Sequence, residues 1–132
     1  MLKITRKVEY ALIALRHLQQ MERGQLSSAK SMASEYGIPQ ELLAKILQKL
    51  SKEEIISSVK GPTGGYKICK DPSTVNMTKF FEILEGPVGI MDCYFDSNCE
   101  QLNGCNIREP INRINDNIRT MFNKMTLADI TY

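Results

Sequence analysis

The sequence predicts a mainly α-helical chain carrying one small β-hairpin, and three observations lead there. Apolar residues recur at helical spacing over most of the chain. Two of those helical patterns are separated by a short turn containing Gly37. Directly afterwards the period switches to strand-like alternation around the turn-forming run Gly61-Pro62-Thr63-Gly64-Gly65.

The first helix is marked by Ile4, Val8, Ala11, Leu12, Leu15 and Leu18 on one face, with Thr5 as N-cap and Gly24 past its end. Ser27-Ser28 opens a second, shorter helix containing Ala29, Met32, Ala33 and Tyr36, and Gly37 stops it. Pro39 then stands where a first helical residue belongs. The third helix has a buried stripe of Ile38, Leu42, Leu43, Ile46, Leu47 and Leu50, opposite Gln40, Glu41, Ala44, Lys45 and Lys49. Two helices joined in this way form a helix-turn-helix. Ile55 to Lys60 and Tyr66 to Lys70 read as the strands of a wing, so residues 1–72 form a winged helix-turn-helix.

Residues 73–132 are expected to hold a connecting helix, a loop and a long C-terminal helix. Asn76 caps the connecting helix, whose face is Met77, Phe80, Phe81 and Leu84; Val75 and Phe80 can form a hydrophobic staple. Gly86-Pro87 ends it, and from Val88 to Arg108 no period is visible. Pro110 opens the last helix, with Ile111, Ile114, Ile118, Met121 and Met125 at coiled-coil-like spacing and Phe122 widening the stripe. This stripe is the expected dimer interface. Thr126 to Asp129 reads as a capped terminal turn.

Charge is divided unevenly. Residues 1–70 hold twelve Lys and Arg against six Asp and Glu, whereas residues 71–132 hold five against nine. A basic half on a chain of net charge +2 suits a polyanionic partner. No apolar run approaches the roughly 18–20 residues of a membrane span, and the N-terminus has no signal-peptide stretch. A cytoplasmic location is therefore expected, where cysteines point to metal or redox chemistry more than to disulfides.

Cys93, Cys99 and Cys105 are spaced C-x5-C-x5-C inside the segment without a period. Thiolates suit iron–sulfur clusters or zinc, but structural zinc sites usually show closer pairs. Spacing alone leaves a metal site, a redox-active thiol set and incidental cysteines open. Cys69, in the second wing strand, reads as a small packed residue. The sole histidine, His17, lies off the apolar face of the first helix. No nucleophile elbow, zincin motif or P-loop is present, so no enzyme is expected.

Leu2-Lys3-Ile4-Thr5, Glu9-Tyr10-Ala11-Leu12, Gly37-Ile38, Leu43 through Leu50 and above all Ser58-Val59-Lys60-Gly61-Pro62-Thr63-Gly64-Gly65-Tyr66 resemble the Rrf family of bacterial winged-helix regulators, of the IscR/NsrR type. The cysteine triplet lies where that family places its cluster ligands. The resemblance covers essentially the whole chain. It implies a homodimer bound to double-stranded DNA, with operator affinity set by an iron–sulfur cluster that senses nitric oxide, redox or iron–sulfur status. The biogenesis regulators of the family place a histidine three residues after the last cysteine, but here that residue is Arg108, which cannot ligate iron. The nitric-oxide sensors use a carboxylate from the partner near the start of the first helix, and Glu9 matches that position. Glu109 and Asp92 are its competitors. Three thiolates with a carboxylate resemble the nitric-oxide sensors, and that resemblance implies 4Fe–4S before 2Fe–2S. The alternative is a winged-helix regulator without a cluster, its cysteines acting as a thiol switch or a zinc site. On the DNA side, Gln40, Glu41, Ala44 and Lys45 are expected at base edges, with Lys60, Gly61 and Thr63 at the wing. Lys7, Lys30, Lys49 and Lys67 are expected at phosphates.

Overall fold

The computed structural model describes residues 4–22, 24–86 and 104–131. The expectations for Cys93, Cys99 and Asp92 lie outside them. Helix α1 (Arg6–Gln20) begins where the Thr5 hydroxyl accepts from the Val8 amide, a cap worth about 1 kcal/mol. It buries Val8, Ala11, Ala14, Leu15 and Leu18. Ile4 precedes the helix and is exposed, so the apolar face starts one turn later than its spacing suggests.

Helix α2 (Ala29–Tyr36) is capped by Ser28 and ends at Gly37, whose φ of 66° is left-handed backbone that a side chain would strain. Helix α3 (Gln40–Lys52) starts one residue later than Pro39 suggests. Pro39 is its N-cap, with φ −56° and ψ 123°, and its carbonyl accepts the first helical bond from the Leu43 amide at 3.0 Å. Leu43, Ile46, Leu47 and Leu50 are buried from α3, together with Ile38 ahead of it; Leu42 is half-buried.

Strands β1 (Ile56–Val59) and β2 (Gly65–Ile68) pair antiparallel, Ile56 opposite Ile68 and Val59 opposite Gly65. Both are shorter than expected, because the Ile55 carbonyl accepts from the Cys69 and Lys70 amides and closes the ladder there. Cys69 therefore lies past the strand and is exposed, which corrects its reading as a packed residue. The segment before α2 adds a one-residue third strand. Ser27 and Tyr66 exchange both backbone hydrogen bonds, at 3.1 and 2.8 Å.

A 3-10 turn (Pro72–Thr74), capped by Asp71, leads to helix α4 (Met77–Glu85). Asn76 caps α4 through the Lys79 amide at 3.1 Å, and both staple residues, Val75 and Phe80, are buried. Helix α5 (Arg108–Asn123) begins two residues before Pro110. Proline is tolerated in a first turn because those amides have no intrahelical acceptor. Helix α6 (Ala128–Thr131) is held by the Asp129 carboxylate, which accepts from the Thr126 amide at 2.7 Å.

Leu127, between α5 and α6, is fully buried and its amide donates to the Val75 carbonyl at 2.8 Å. Helix α4 packs on α1, α3 and α5, and α6 packs on α1. One apolar core, with Phe80 its largest fully buried side chain, thus runs from Val8 to Leu127. The Phe81 and Phe122 rings meet at 4.9 Å and attach α5 to α4. No helix among the described residues is long and apolar enough to cross a membrane.

Candidate nucleic-acid interface and cysteine site

The turn set by Gly37 presents the first turns of α3 outward. Gln40, Glu41 and Lys45 are exposed and Ala44 is half-buried beside them. The wing tip carries Lys60, Gly61 and Thr63, all exposed, in a turn closed by the Gly64 amide donating to the Gly61 carbonyl at 3.0 Å. Behind the tip, Gly65 lies so close to Ser27 that a Cβ there would meet the Ser27 carbonyl carbon at 2.7 Å. The wing is thereby fixed against the segment that enters α2. Lys30 is exposed in the first turn of α2, and Lys67 is exposed on β2.

Three lysines that the sequence suggests for DNA contact come together on one surface. Lys7 of α1 and Lys45 and Lys49 of α3 line a shallow groove of about 410 Å³ with Lys52, Gln48 and an apolar floor of Leu42, Ile46 and Leu84. Among the described residues, none of these four lysines is ion-paired with a carboxylate. Lys45 belongs both to this groove and to the exposed start of α3, so the two adjoin. Lys52 was not expected at the site. Its signal was the spacing of Lys45, Lys49 and Lys52 along one helix face.

His17 also has a place that its helical position alone did not reveal. Its Nδ1 lies 2.7 Å from the Tyr36 hydroxyl and its Nε2 lies 3.2 Å from Ser27 Oγ. The two rings meet edge-on at 5.4 Å, and the Glu35 carboxylate is 3.8 Å from Nδ1. Desolvation, with Glu35 adding to it, raises the Tyr36 pKa above the usual phenol value, so its hydroxyl keeps its proton.

Cys105 is the one member of the cysteine triplet among the described residues, a half-buried free thiol just before α5. Arg108 follows in the first turn of that helix, and its Nε is buried with no hydrogen-bond partner among the described residues. A buried cationic donor without a partner, three residues after Cys105, suits an anionic group. Glu9 is half-buried on α1 and accepts from Arg6 Nη1 at 2.9 Å. That pair is exposed and worth about 0.5 kcal/mol, so it opens readily. Glu109 is exposed on α5. Among the described residues, no group of three or more His, Cys, Asp or Glu is placed to hold a metal ion.

Helix α5 divides the expected dimer stripe. Ile114 and Met121 are 45% and 51% exposed, and Ile107, not anticipated in the stripe, is 50% exposed one heptad before Ile114. Ile111 and Ile118 flank this line half-buried, whereas Met125 packs on the chain's own core. Asn115, about 100° around the helix from Ile114, is fully buried.

This geometry has known counterparts. A candidate HTH-type transcriptional regulator of Aquifex aeolicus is 29% identical over 126 residues, covering 93% of this chain and 87% of that one. A candidate rrf2-like regulator of Rhodobacter capsulatus is 28% identical over 96% of this chain and 91% of its own. Among solved structures, CymR, the global cysteine regulator of B. subtilis, superposes with a TM-score of 0.75 at 25% identity, covering 99% of this chain and 97% of that one. T. potens IscR, at 24% identity and a TM-score of 0.69, shares the fold over 97% of this chain and 85% of its own. The family model described as Rrf2, iron-dependent transcriptional regulator, matches residues 4–132. With its helix-turn-helix, its two-stranded wing and that match, the chain belongs to the Rrf2 family of winged-helix transcriptional regulators.

Proposed function

We propose that this chain is a homodimeric, operator-binding regulator whose DNA affinity is set by the cysteines of the segment before α5. One observation carries the DNA-binding part: Lys7, Lys45, Lys49 and Lys52 line a single groove that continues into the exposed start of α3. Gln40, Glu41, Ala44 and Lys45 read base edges, Lys60, Gly61 and Thr63 sit at the wing, and Lys7, Lys30, Lys49 and Lys67 meet phosphates. The exposed line of Ile107, Ile114 and Met121, with Ile111 and Ile118 beside it, forms the seam between protomers. A dimer then spans two half-sites about one helical turn apart. A footprint over a single half-site, bound by monomer, would contradict this.

For the sensing step we favour a regulator without a cluster, in which Cys93, Cys99 and Cys105 act as a thiol switch or hold zinc; the likeness to CymR, a global cysteine regulator, supports it. A second reading has its own support in the C-x5-C-x5-C spacing, the orphaned Arg108 Nε and the family's description as iron-dependent. In it the three thiolates hold an iron–sulfur cluster, 4Fe–4S before 2Fe–2S, with Glu9 of the partner subunit as fourth ligand. Such a group supplies a site that reacts with nitric oxide or oxidants. Arg108 donates toward its negative charge, and Glu9 must first leave Arg6. Anaerobic purification followed by iron, sulfide and zinc analysis and a visible spectrum separates the readings. A colourless protein, with or without zinc, supports the first; a brown one containing iron and sulfide supports the second and overturns the first.

A further inference from the structure

We infer that His17 is a positioning residue for DNA reading: its imidazole pins the end of α2 and the root of the wing to one point on α1. The inference rests on the DNA-binding reading above. Tyr36 is the last residue of α2 and directly precedes Gly37, the turn into α3. Ser27 is buried and bonded through its backbone to Tyr66 of β2, with Gly65 pressed against it. One ring therefore touches the two hinges that set where the recognition helix and the wing stand relative to each other. A neutral imidazole has one donor and one acceptor, and each hydroxyl partner can serve as either, so either tautomer satisfies both bonds. Tyr36 is 40% exposed, so burial alone does not fix its ring and the bond to His17 orients it. Ser27 Oγ, on a buried residue, depends on the same imidazole. Glu35, with its carboxylate 3.8 Å from Nδ1, and Tyr36 are the ionisable neighbours.

The test uses a duplex selected by the wild-type protein from a random-sequence library, alongside an unselected duplex. His17→Leu fills similar volume but forms neither bond, and should weaken binding to the selected duplex about tenfold. Affinity for the unselected duplex, the far-UV circular dichroism and the dimer mass should stay as in wild type. His17→Asn places an amide near Nδ1 and His17→Gln places one near Nε2, so each should recover part of the loss. Tyr36→Phe removes only a hydroxyl from a partly exposed ring and carries the test should His17→Leu fail to fold. Combined with His17→Leu, it should cost no more than the worse single change. Wild-type affinity in both single variants overturns the inference, as do additive losses or equal losses on both duplexes. A wild-type protein that selects no duplex instead overturns the regulator reading itself.

Discussion

Replacing Lys49 and Lys52 by Gln tests whether the α3 groove follows a DNA strand. Lys45, Lys49 and Lys52 span about 10 Å of helix axis at 1.5 Å per residue. That length matches about three phosphates of one strand at 3.4 Å each. Each lysine that neutralises one phosphate contributes about 0.9 to the slope of log K against log salt. The double variant should therefore lower the magnitude of that slope by about 1.8. At 0.1 M salt the same relation gives about eightfold weaker binding per lysine, on every sequence alike. Both lysines are exposed, so stability should change by no more than about 0.5 kcal/mol. Fluorescence anisotropy of a labelled duplex across a salt series reads the slope directly. Lys79→Gln, on exposed α4 surface outside this groove, is the control and should leave it unchanged. An unchanged slope in the double variant would show that the groove faces something other than the DNA backbone.

Leu127→Ala should cost about 2–5 kcal/mol, since the side chain is fully buried, and thermal unfolding will show it as a lower midpoint. Ile114→Glu with Met121→Glu should yield monomers with poor affinity for selected DNA; an unchanged dimer in sedimentation would place the seam elsewhere. The Asp71 carboxyl is held below its usual pKa by the Ser73 backbone and side-chain hydrogen bonds. A lowered folded-state pKa stabilises above the ordinary carboxylate range and is lost as pH falls through the folded value. Asp71→Asn should therefore flatten the acid limb of a stability–pH curve, and an unchanged limb would refute the assignment. Glu9→Ala should leave fold and dimer intact yet change the visible spectrum or lability of any cluster; identical spectra would remove Glu9 of the partner subunit as a ligand.

What could be read from the sequence was what local physics decides. Thr5, Ser28 and Asn76 all cap helices, because a short polar side chain before an apolar period has one dominant use there. Gly37 and the Gly61–Gly65 run marked both turns of the winged helix, because Gly37 and Gly61 take positive φ that a side chain would strain. Elements governed by distant partners were harder. Leu127 follows the end of a helix pattern, and only the docking of α6 on α1 makes it core. The bonds of His17 join residues from α1, α2 and the segment before α2, which no periodicity relates. Cys69 was misplaced because strand composition continued past the point where the Ile55 carbonyl ends the ladder. Pro110 misled by two residues, since proline is compatible with more than one position in a first turn. At the candidate site, lysine spacing on α3 was visible, but the approach of Lys7 and Leu84 from other helices was not.

One titration is the most direct test: anaerobically purified protein against its library-selected duplex, before and after exposure to nitric oxide or a thiol oxidant. A cysteine-controlled regulator should be a dimer that binds the selected duplex at least about a thousandfold tighter than random DNA. Exposure should change that affinity about tenfold or more in wild type, but not when Cys93, Cys99 and Cys105 are all Ser. Equal affinity for both duplexes would contradict the DNA-reading role. An equal response in the wild-type and Cys-free proteins would contradict the cysteine sensor.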